Sequence, residues 1–501
     1  MRQERVPQTP QFSRRDFLRF SALTGAAAVL EAAGLGKPSS ESSSTAQPSG
    51  NSPLGEFRSM PPLHGEPVPA PAYLPKGENA SLQAEETVKL PQYELRELES
   101  NDNTNIDNRI TIVVTGDGYT AAEKEKFFTD ASSMMQEAFT TEPFSRYRNL
   151  FKVILMHLES PESGASHPPY KEDCGYNEYD CCPYPFSDPK MGTIVDTALD
   201  STYCSGNYQG LHYPTESWTK ILLPILEKEV PNWNLSAVLV NDDTPSGSAS
   251  FPTSTSSLGE YGVNILLHEL FGHGFNLDEE YEARGMYCSD LPEDEGVIPA
   301  CAANVTNDGN EETVKWRYWI DGTVENQKVG VFLVNNNPEY GYHVSEQEHS
   351  IMGDINTRYF NKVSKEAIVQ SIMRGIQRFS YFRGPLSLID SVSHPSDTLL
   401  PSSELTTLEV QTVKLFGDPP LQIQWQVNGE VVAENTTSLS TSLNEGDVVV
   451  CKVTDPSPYV HPDCPEVGLL TQVREWVVQT PATPTPTPEP RNNLFIPVVK
   501  K

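Results

Sequence analysis

No stretch of about 18 or more uncharged apolar residues occurs in this 501-residue chain, which excludes an ordinary membrane-spanning helix. Bases are scarce. Lys and Arg number 36 against 68 Asp and Glu, a formal charge of −32. A polyanion repels phosphates, so neither nonspecific nucleic-acid binding nor docking on anionic lipid is expected. The acidic balance reads first as solubility. Apolar residues are also few, at 37%, beside 42 Pro and 32 Gly, a composition that does not suit one compact domain of this length. No CxxC pair occurs among the eight cysteines, which counts against a cysteine-built zinc site.

What is present begins with an address. Ser13-Arg14-Arg15-Asp16-Phe17-Leu18 sets two arginines ahead of an apolar, small-residue stretch from Phe20 to Leu30, and Ala32-Ala33 offers small residues to a cleaving peptidase. The pattern resembles a bacterial twin-arginine export signal, taken as residues 1–36 and set aside from the fold. All eight cysteines follow it, and an even count in an exported chain predicts disulfides. Cys288 with Cys301 and Cys451 with Cys464 are the closest local pairs. Cys174, Cys181, Cys182 and Cys204 could form two more bridges, with a pairing the sequence leaves open.

Residues 37–85 are rich in Ser, Pro, Gly and Glu and read as a disordered linker. Within residues 86–400, Ile110 to Val114 and Phe151 to Leu158 read as buried strands and Ala237 to Val240 as a third. Thr120 with Glu123 forms a capping-box pattern ahead of a helix from Ala121 to Phe139. Strand, helix and strand in this order predict an α/β or α+β catalytic domain. Over residues 401–478, Leu421, Ile423, Trp425 and Val427 alternate with polar residues, Asn428-Gly429 marks a hairpin turn, and Val449, Cys451 and Val453 alternate likewise. That unit is expected to be a small all-β, immunoglobulin-like sandwich. Residues 479–501 hold a Thr-Pro repeat, a stiff polyproline-like stalk, and end in Leu494-Phe495-Ile496-Pro497-Val498-Val499-Lys500-Lys501. This tail reads either as a cell-surface attachment signal or as a strand added to a neighbour.

The chemistry is concentrated in Gly262 to Tyr281, GVNILLHELFGHGFNLDEEY. Val263, Leu266, Leu267, Leu270 and Phe271 fall at helical spacing, so His268, Glu269 and His273 ride on a buried amphipathic helix. Two imidazoles that bind Zn²⁺ and an adjacent carboxylate that takes a proton make a zinc-hydrolase site. The usual spacing, HExxH, places the ligands at i and i+4. Here they stand at i and i+5, about 140° apart on a regular helix of ~100° per residue. They converge only if the helix carries a π-type turn or breaks at Gly272. Glu269 with His273, an i, i+4 pair, is the rival ligand assignment. A third protein ligand is needed. Glu279, six residues after His273, and its neighbour Asp278 are the candidates, and Glu280 is expected in support, holding a histidine ring nitrogen.

At this point the chain resembles a known family, the secreted zinc metallopeptidases named after a bacterial IgA-cleaving protease. Gly116-Asp117-Gly118-Tyr119, Glu142-Pro143-Phe144 with Tyr147, Ser160-Pro161-Glu162-Ser163-Gly164, and Asn304-Val305-Thr306 with Lys315-Trp316 and Trp319-Ile320 are similar to its blocks. The resemblance covers roughly residues 108–380 and the sandwich after them. The family's motif looks like HExGHxFxxLxDEY. Gly272, His273, Phe275, Leu277 and Glu280-Tyr281 match it, with one residue extra before Gly272 and one missing after Phe275, so that the family's ligand Asp falls on Glu279. His349-Ser350-Ile351-Met352-Gly353 is similar to the methionine turn of metzincin-type peptidases, which implies a zincin/metzincin-like catalytic fold with Met352 as a soft apolar floor under the metal. Tyr342 and His343 precede that turn and are candidate donors to a substrate oxyanion. The chain is therefore expected to be an exported zinc endopeptidase acting on protein or peptide substrates, with Glu269 as the base. A catalytically weak zinc-containing surface-binding protein and a cell-wall amidase are the alternatives.

Overall fold

The computed structural model describes residues 89–98, 108–169, 188–205, 208–250, 252–281, 288–294, 298–320, 329–347, 350–375 and 386–480. The export signal, the linker, Cys174, Cys181, Cys182, His349 and the stalk from residue 481 lie outside them. The chain divides into two units. The first comprises Met1–Ser387, Lys414–Pro419 and Ser457–Leu470; the second comprises Leu388–Val413, Pro420–Pro456 and Thr471–Lys501.

Among the described residues of the first unit, eight strands precede the histidine-bearing helix: β1 Tyr93–Glu97, β2 Ile110–Asp117, β3 Phe151–Leu158, β4 Thr202–Ser205, β5 Tyr208–His212, β6 Leu235–Val240, β7 Gly247–Ser250 and β8 Thr253–Ser256. Six of them form one sheet in the order β1-β3-β2-β6-β8-β7. The four central strands run parallel, and the edges β1 and β7 run antiparallel to their neighbours. Every residue of β2 and β6 is buried, as a parallel strand covered on both faces requires, which is why both are largely apolar in sequence. The strand β8, Thr-Ser-Thr-Ser, is equally buried yet carries no apolar residue, so hydrophobic pattern alone misses it.

A parallel pair needs a crossover, and helix Lys124–Ala138 provides the one between β2 and β3. A 3-10 turn, Ala121–Glu123, starts it, and the Glu123 carboxylate accepts from the Thr120 N–H (3.0 Å) and hydroxyl (2.9 Å). Phe127, Phe128, Ala131, Met134, Met135 and Ala138 form its buried face; each large side chain contributes ~1.5–3 kcal/mol of burial.

Two buried polar knots fix the loops at the carboxyl ends of β2 and β6. Asp117 is wholly buried and accepts from Ser160 Oγ, Thr197 Oγ1 and the N–H groups of Leu199 and Ser201. His167 lies between two carboxylates, with Nδ1 2.6 Å from Asp188 and Nε2 3.1 Å from Asp242. Lys190 pairs with Asp242 and Asp243, and Tyr203 stacks on the imidazole at 4.3 Å while donating to Asp242.

The second unit is built of two sheets. One has three strands, Ile389–Val392, Ser402–Thr412 and Ser438–Leu443; the other has five, Thr398–Leu399, Thr471–Val478, Val448–Thr454, Gln422–Val427 and Glu430–Glu434. Val449, Cys451 and Val453 alternate inward along their strand, and Trp425 stacks on Trp476 at 5.8 Å. Asn428 and Gly429 both hold positive φ, 54° and 86°, as a tight hairpin turn demands.

The cysteine expectations divide. Cys288 and Cys301 are bonded, with Cα atoms 4.8 Å apart. Cys451 and Cys464 are not; both are buried free thiols. Cys464 lies in the segment Ser457–Leu470 of the first unit, and Cys451 in the second unit. Cys464 instead meets Tyr318 Oη at 3.6 Å and Gln370 Nε2 at 3.1 Å.

Candidate metal centre

The helix after β8 is regular only over Gly262–Leu266. It widens into a π-helical stretch, Leu267–Gly272, and closes with a 3-10 turn, His273–Phe275. The His273 N–H donates to the His268 carbonyl, an i→i+5 closure that puts residues five apart on one face. Asn276 then leaves the helix in the left-handed region at φ 67°. At Gly272 packing rather than backbone angle favours glycine: a Cβ there would lie 2.3 Å from Met352 Sδ, and that side chain would have to shift.

This widening turns the two rings toward each other, with centroids 5.0 Å apart at 83°. His268 Nδ1 donates to the Ile351 carbonyl at 2.9 Å and His273 Nδ1 to the Leu277 carbonyl at 3.0 Å. A carbonyl only accepts, so both protons are fixed on Nδ1, and in the neutral rings each Nε2 presents a lone pair. Both Nε2 atoms face Glu279, at 3.2 Å and 3.3 Å from its two oxygens. Ligand atoms of His268, His273 and Glu279 all lie within 4.8 Å of one another. Glu279 Oε2 is buried and has no hydrogen-bond partner. Acceptors aimed at one point, one of them an orphaned carboxylate oxygen, fit a cation. Burial alone would lower the histidine pKa values, but the Glu279 charge outweighs it and raises both. Burial would likewise raise Glu279, yet the two rings hold it well below the usual carboxylate range. A site that attracts protons in this way would hold a metal only in competition with them. His268 is 8% exposed, His273 20% and Glu279 27%, so the trio opens to solvent on the Glu279 side.

Glu269 stands beside the trio and is not among its converging atoms. Burial raises its pKa against the pull of both rings. Gly247 lets the edge strand β7 approach this carboxylate: a Cβ there would fall 3.0 Å from Glu269 Cγ and 2.4 Å from Ile265 Cγ2.

Residues 98–177 match the family model described as IgA Peptidase M64. The chain resembles the M64 peptidases. The match implies a peptidase; it spans the opening blocks of the first unit and ends before the helix that carries the trio. Residues 11–30 match the signal sequence of the twin-arginine translocation pathway, which directs the protein to export. No curated protein matches the chain. Among the described residues no helix is long and apolar enough to cross a membrane.

The other expected site residues lie around the trio as follows. The Asp278 carboxylate accepts from the N–H of Glu279 at 2.9 Å and does not join the trio, since a side chain turned back onto the next amide cannot also point at the rings. Glu280 holds no histidine ring nitrogen, because backbone carbonyls occupy both; its carboxylate accepts instead from Asn304, Asn361 and Ser350. Met352 is fully buried against Gly272 and takes no polar role with its side chain. The Tyr342 hydroxyl donates to the Cys288 carbonyl at 3.0 Å rather than projecting free as an oxyanion donor. His343 sits in a short strand paired with Thr306 and Leu333, its ring against Gly309. Sequence reasoning missed the carbonyls of Ile351 and Leu277 and the amides of Asn304 and Asn361. Backbone carbonyls carry no sequence signal. Asn361 did carry one, as the N-cap of helix Lys362–Arg374.

Proposed function

We propose that the protein is an exported zinc-dependent endopeptidase that hydrolyses extracellular proteins or peptides, with His268, His273 and Glu279 as metal ligands and Glu269 as general base. The observation that carries this reading is the convergence of both Nε2 atoms on a carboxylate whose Oε2 is buried and faces only His268 Nε2, without a hydrogen bond. Two imidazoles and one carboxylate form a donor set suited to Zn²⁺ with a position left open for chemistry. Such an ion, when bound, would polarise a scissile carbonyl and lower the pKa of a water molecule toward ~7.

The chain's own residues do the rest. The Ile351 and Leu277 carbonyls fix ring tautomer and orientation. Met352, packed against Gly272, gives the site an apolar floor. Glu269 makes no hydrogen bond among the described residues, and its raised pKa suits a group that accepts a proton and later returns it to the leaving amine. The mixed sheet with this helix supports a zincin/metzincin-like catalytic domain over residues 86–400. The two-sheet unit supports an immunoglobulin-like sandwich over 401–478 that positions the enzyme or its substrate, with residues 479–501 as stalk and surface-attachment tail.

The test is cleavage of casein or gelatin by the purified mature chain. Turnover should be abolished by a chelator, restored by zinc, and reduced roughly 10²–10⁴-fold by Glu269→Gln with zinc still bound. Ligand binding without any turnover would point to a surface-binding protein, and turnover of muropeptides but not proteins to an amidase. Either result overturns the endopeptidase reading.

A further inference from the structure

We propose that Glu280 is the positioning residue of this centre: one buried carboxylate ties the turn that carries Glu279 to the turn that orients His268. The inference rests on the reading of His268, His273 and Glu279 as metal ligands.

Glu280 is 2% exposed, and three side-chain donors from three separate segments converge on it. Asn304 Nδ2 and Asn361 Nδ2 each reach Oε1 at 2.9 Å, and Ser350 Oγ reaches Oε2 at 2.7 Å. The Glu280 N–H donates to the Met352 carbonyl at 2.9 Å. Each donor is itself held. Asn304 clamps the residue before Glu279 on both sides, its Oδ1 accepting from the Asp278 N–H and its Nδ2 donating to the Asp278 carbonyl, both at 2.8 Å. Asn361 Oδ1 caps the following helix through Ser364 N at 2.8 Å. Ser350 Oγ also accepts from Met352 N at 3.3 Å.

The consequence is geometric. Glu279 sits between Asp278, whose N–H and carbonyl are both held by Asn304, and Glu280, whose N–H is held by the Met352 carbonyl. Ile351, whose carbonyl holds His268 Nδ1, sits between Ser350 and Met352, and both of those are bonded to Glu280. One side chain therefore fixes the approach of the carboxylate ligand and the orientation of an imidazole ligand. A buried carboxylate is costly and is retained only when its oxygens are well satisfied. Packing alone would be served at lower cost by an apolar residue, whereas a hydrogen-bonded layer behind the ligands is what a metal site needs for fixed geometry.

The substitution to test is Glu280→Gln. A Gln at this position keeps the size, and its amide oxygen can still accept from both Asn amides. Its NH₂ would face Ser350, whose hydroxyl must turn from donating to accepting, so the fold is expected to survive with a looser turn. Ser350→Ala removes one hydroxyl and leaves both Asn donors in place, which keeps the comparison available should Glu280→Gln fail to fold. The readouts are zinc affinity by competition with a chelator and the visible spectrum of the Co²⁺-loaded chain. Zinc affinity should fall roughly 10–100-fold in Glu280→Gln, and less in Ser350→Ala. The cobalt bands should shift in both variants while the melting temperature of the metal-free chain changes little. Wild-type affinity and an unaltered cobalt spectrum in both variants would overturn the role given to Glu280 and leave the metal centre standing. A wild-type chain that holds no stoichiometric metal would remove the centre and this proposal with it.

Discussion

Gly272→Ala tests the packing that permits the widened turn. Ordinary carbon contacts lie near ~3.5–4.0 Å, but the new methyl would stand 2.3 Å from Met352 Sδ and 2.9 Å from its Cε. One side must move by more than an ångström. Met352 is fully buried, so its thioether end must find space among packed neighbours to yield. Overpacking of this kind costs about 1–3 kcal/mol. If the helix gives way instead, the His268–His273 convergence loosens and zinc affinity falls. Urea unfolding of the variant should report the stability loss, and chelator competition the loss of affinity. The double variant Gly272→Ala with Met352→Ala should be less destabilised than the sum of the singles, with a coupling of about 0.5–3 kcal/mol. Wild-type stability and zinc affinity in Gly272→Ala, or strict additivity with Met352→Ala, would refute the reasoning.

The His167 knot gives a pH-dependent stability. Burial alone would lower this histidine's pKa, but hydrogen bonds and charge from Asp242 and Asp188 outweigh it, so the folded pKa lies above the unfolded value of about 6.5. The stabilisation is therefore full below about pH 6.5 and is lost as pH rises through the raised folded value. His167→Ala, which leaves two buried carboxylates without that partner, should cost roughly 3–5 kcal/mol and flatten this pH dependence in urea melts; an unchanged profile would count against it. Opening the Cys288–Cys301 bridge with Cys288→Ser should cost about 3 kcal/mol, the loop-closure value for a separation of 13 residues, and equal melts of oxidised wild type and variant would contradict this.

Much of the fold was legible because burial wrote itself into apolar runs. The strands β2, β3 and β6 and the crossover helix follow from hydrophobic pattern and the Thr120–Glu123 start signal. The Asn428-Gly429 hairpin follows from turn chemistry alone. The strand β8 was illegible because Thr and Ser are buried there through ladder hydrogen bonds, not through apolar side chains. At the candidate site, the i, i+5 spacing required a π-type turn or a break at Gly272, and a π turn lies at Leu267–Gly272. The choice between Asp278 and Glu279 was not readable, since adjacent carboxylates on an irregular turn differ only in where the backbone aims them. Tyr342 and Cys464 show the same limit: their partners, Cys288 and Gln370, are distant in sequence, and no local pattern announces such contacts.

In the proposed centre, two histidines five residues apart share one divalent ion with Glu279. Anomalous scattering at the zinc edge from a crystal of the mature chain tests it most directly. A single strong peak is expected at bonding distance, ~2.0–2.2 Å, from His268 Nε2, His273 Nε2 and a Glu279 oxygen. A peak ligated by Asp278 in place of Glu279, or no peak with the two rings turned apart, would contradict it.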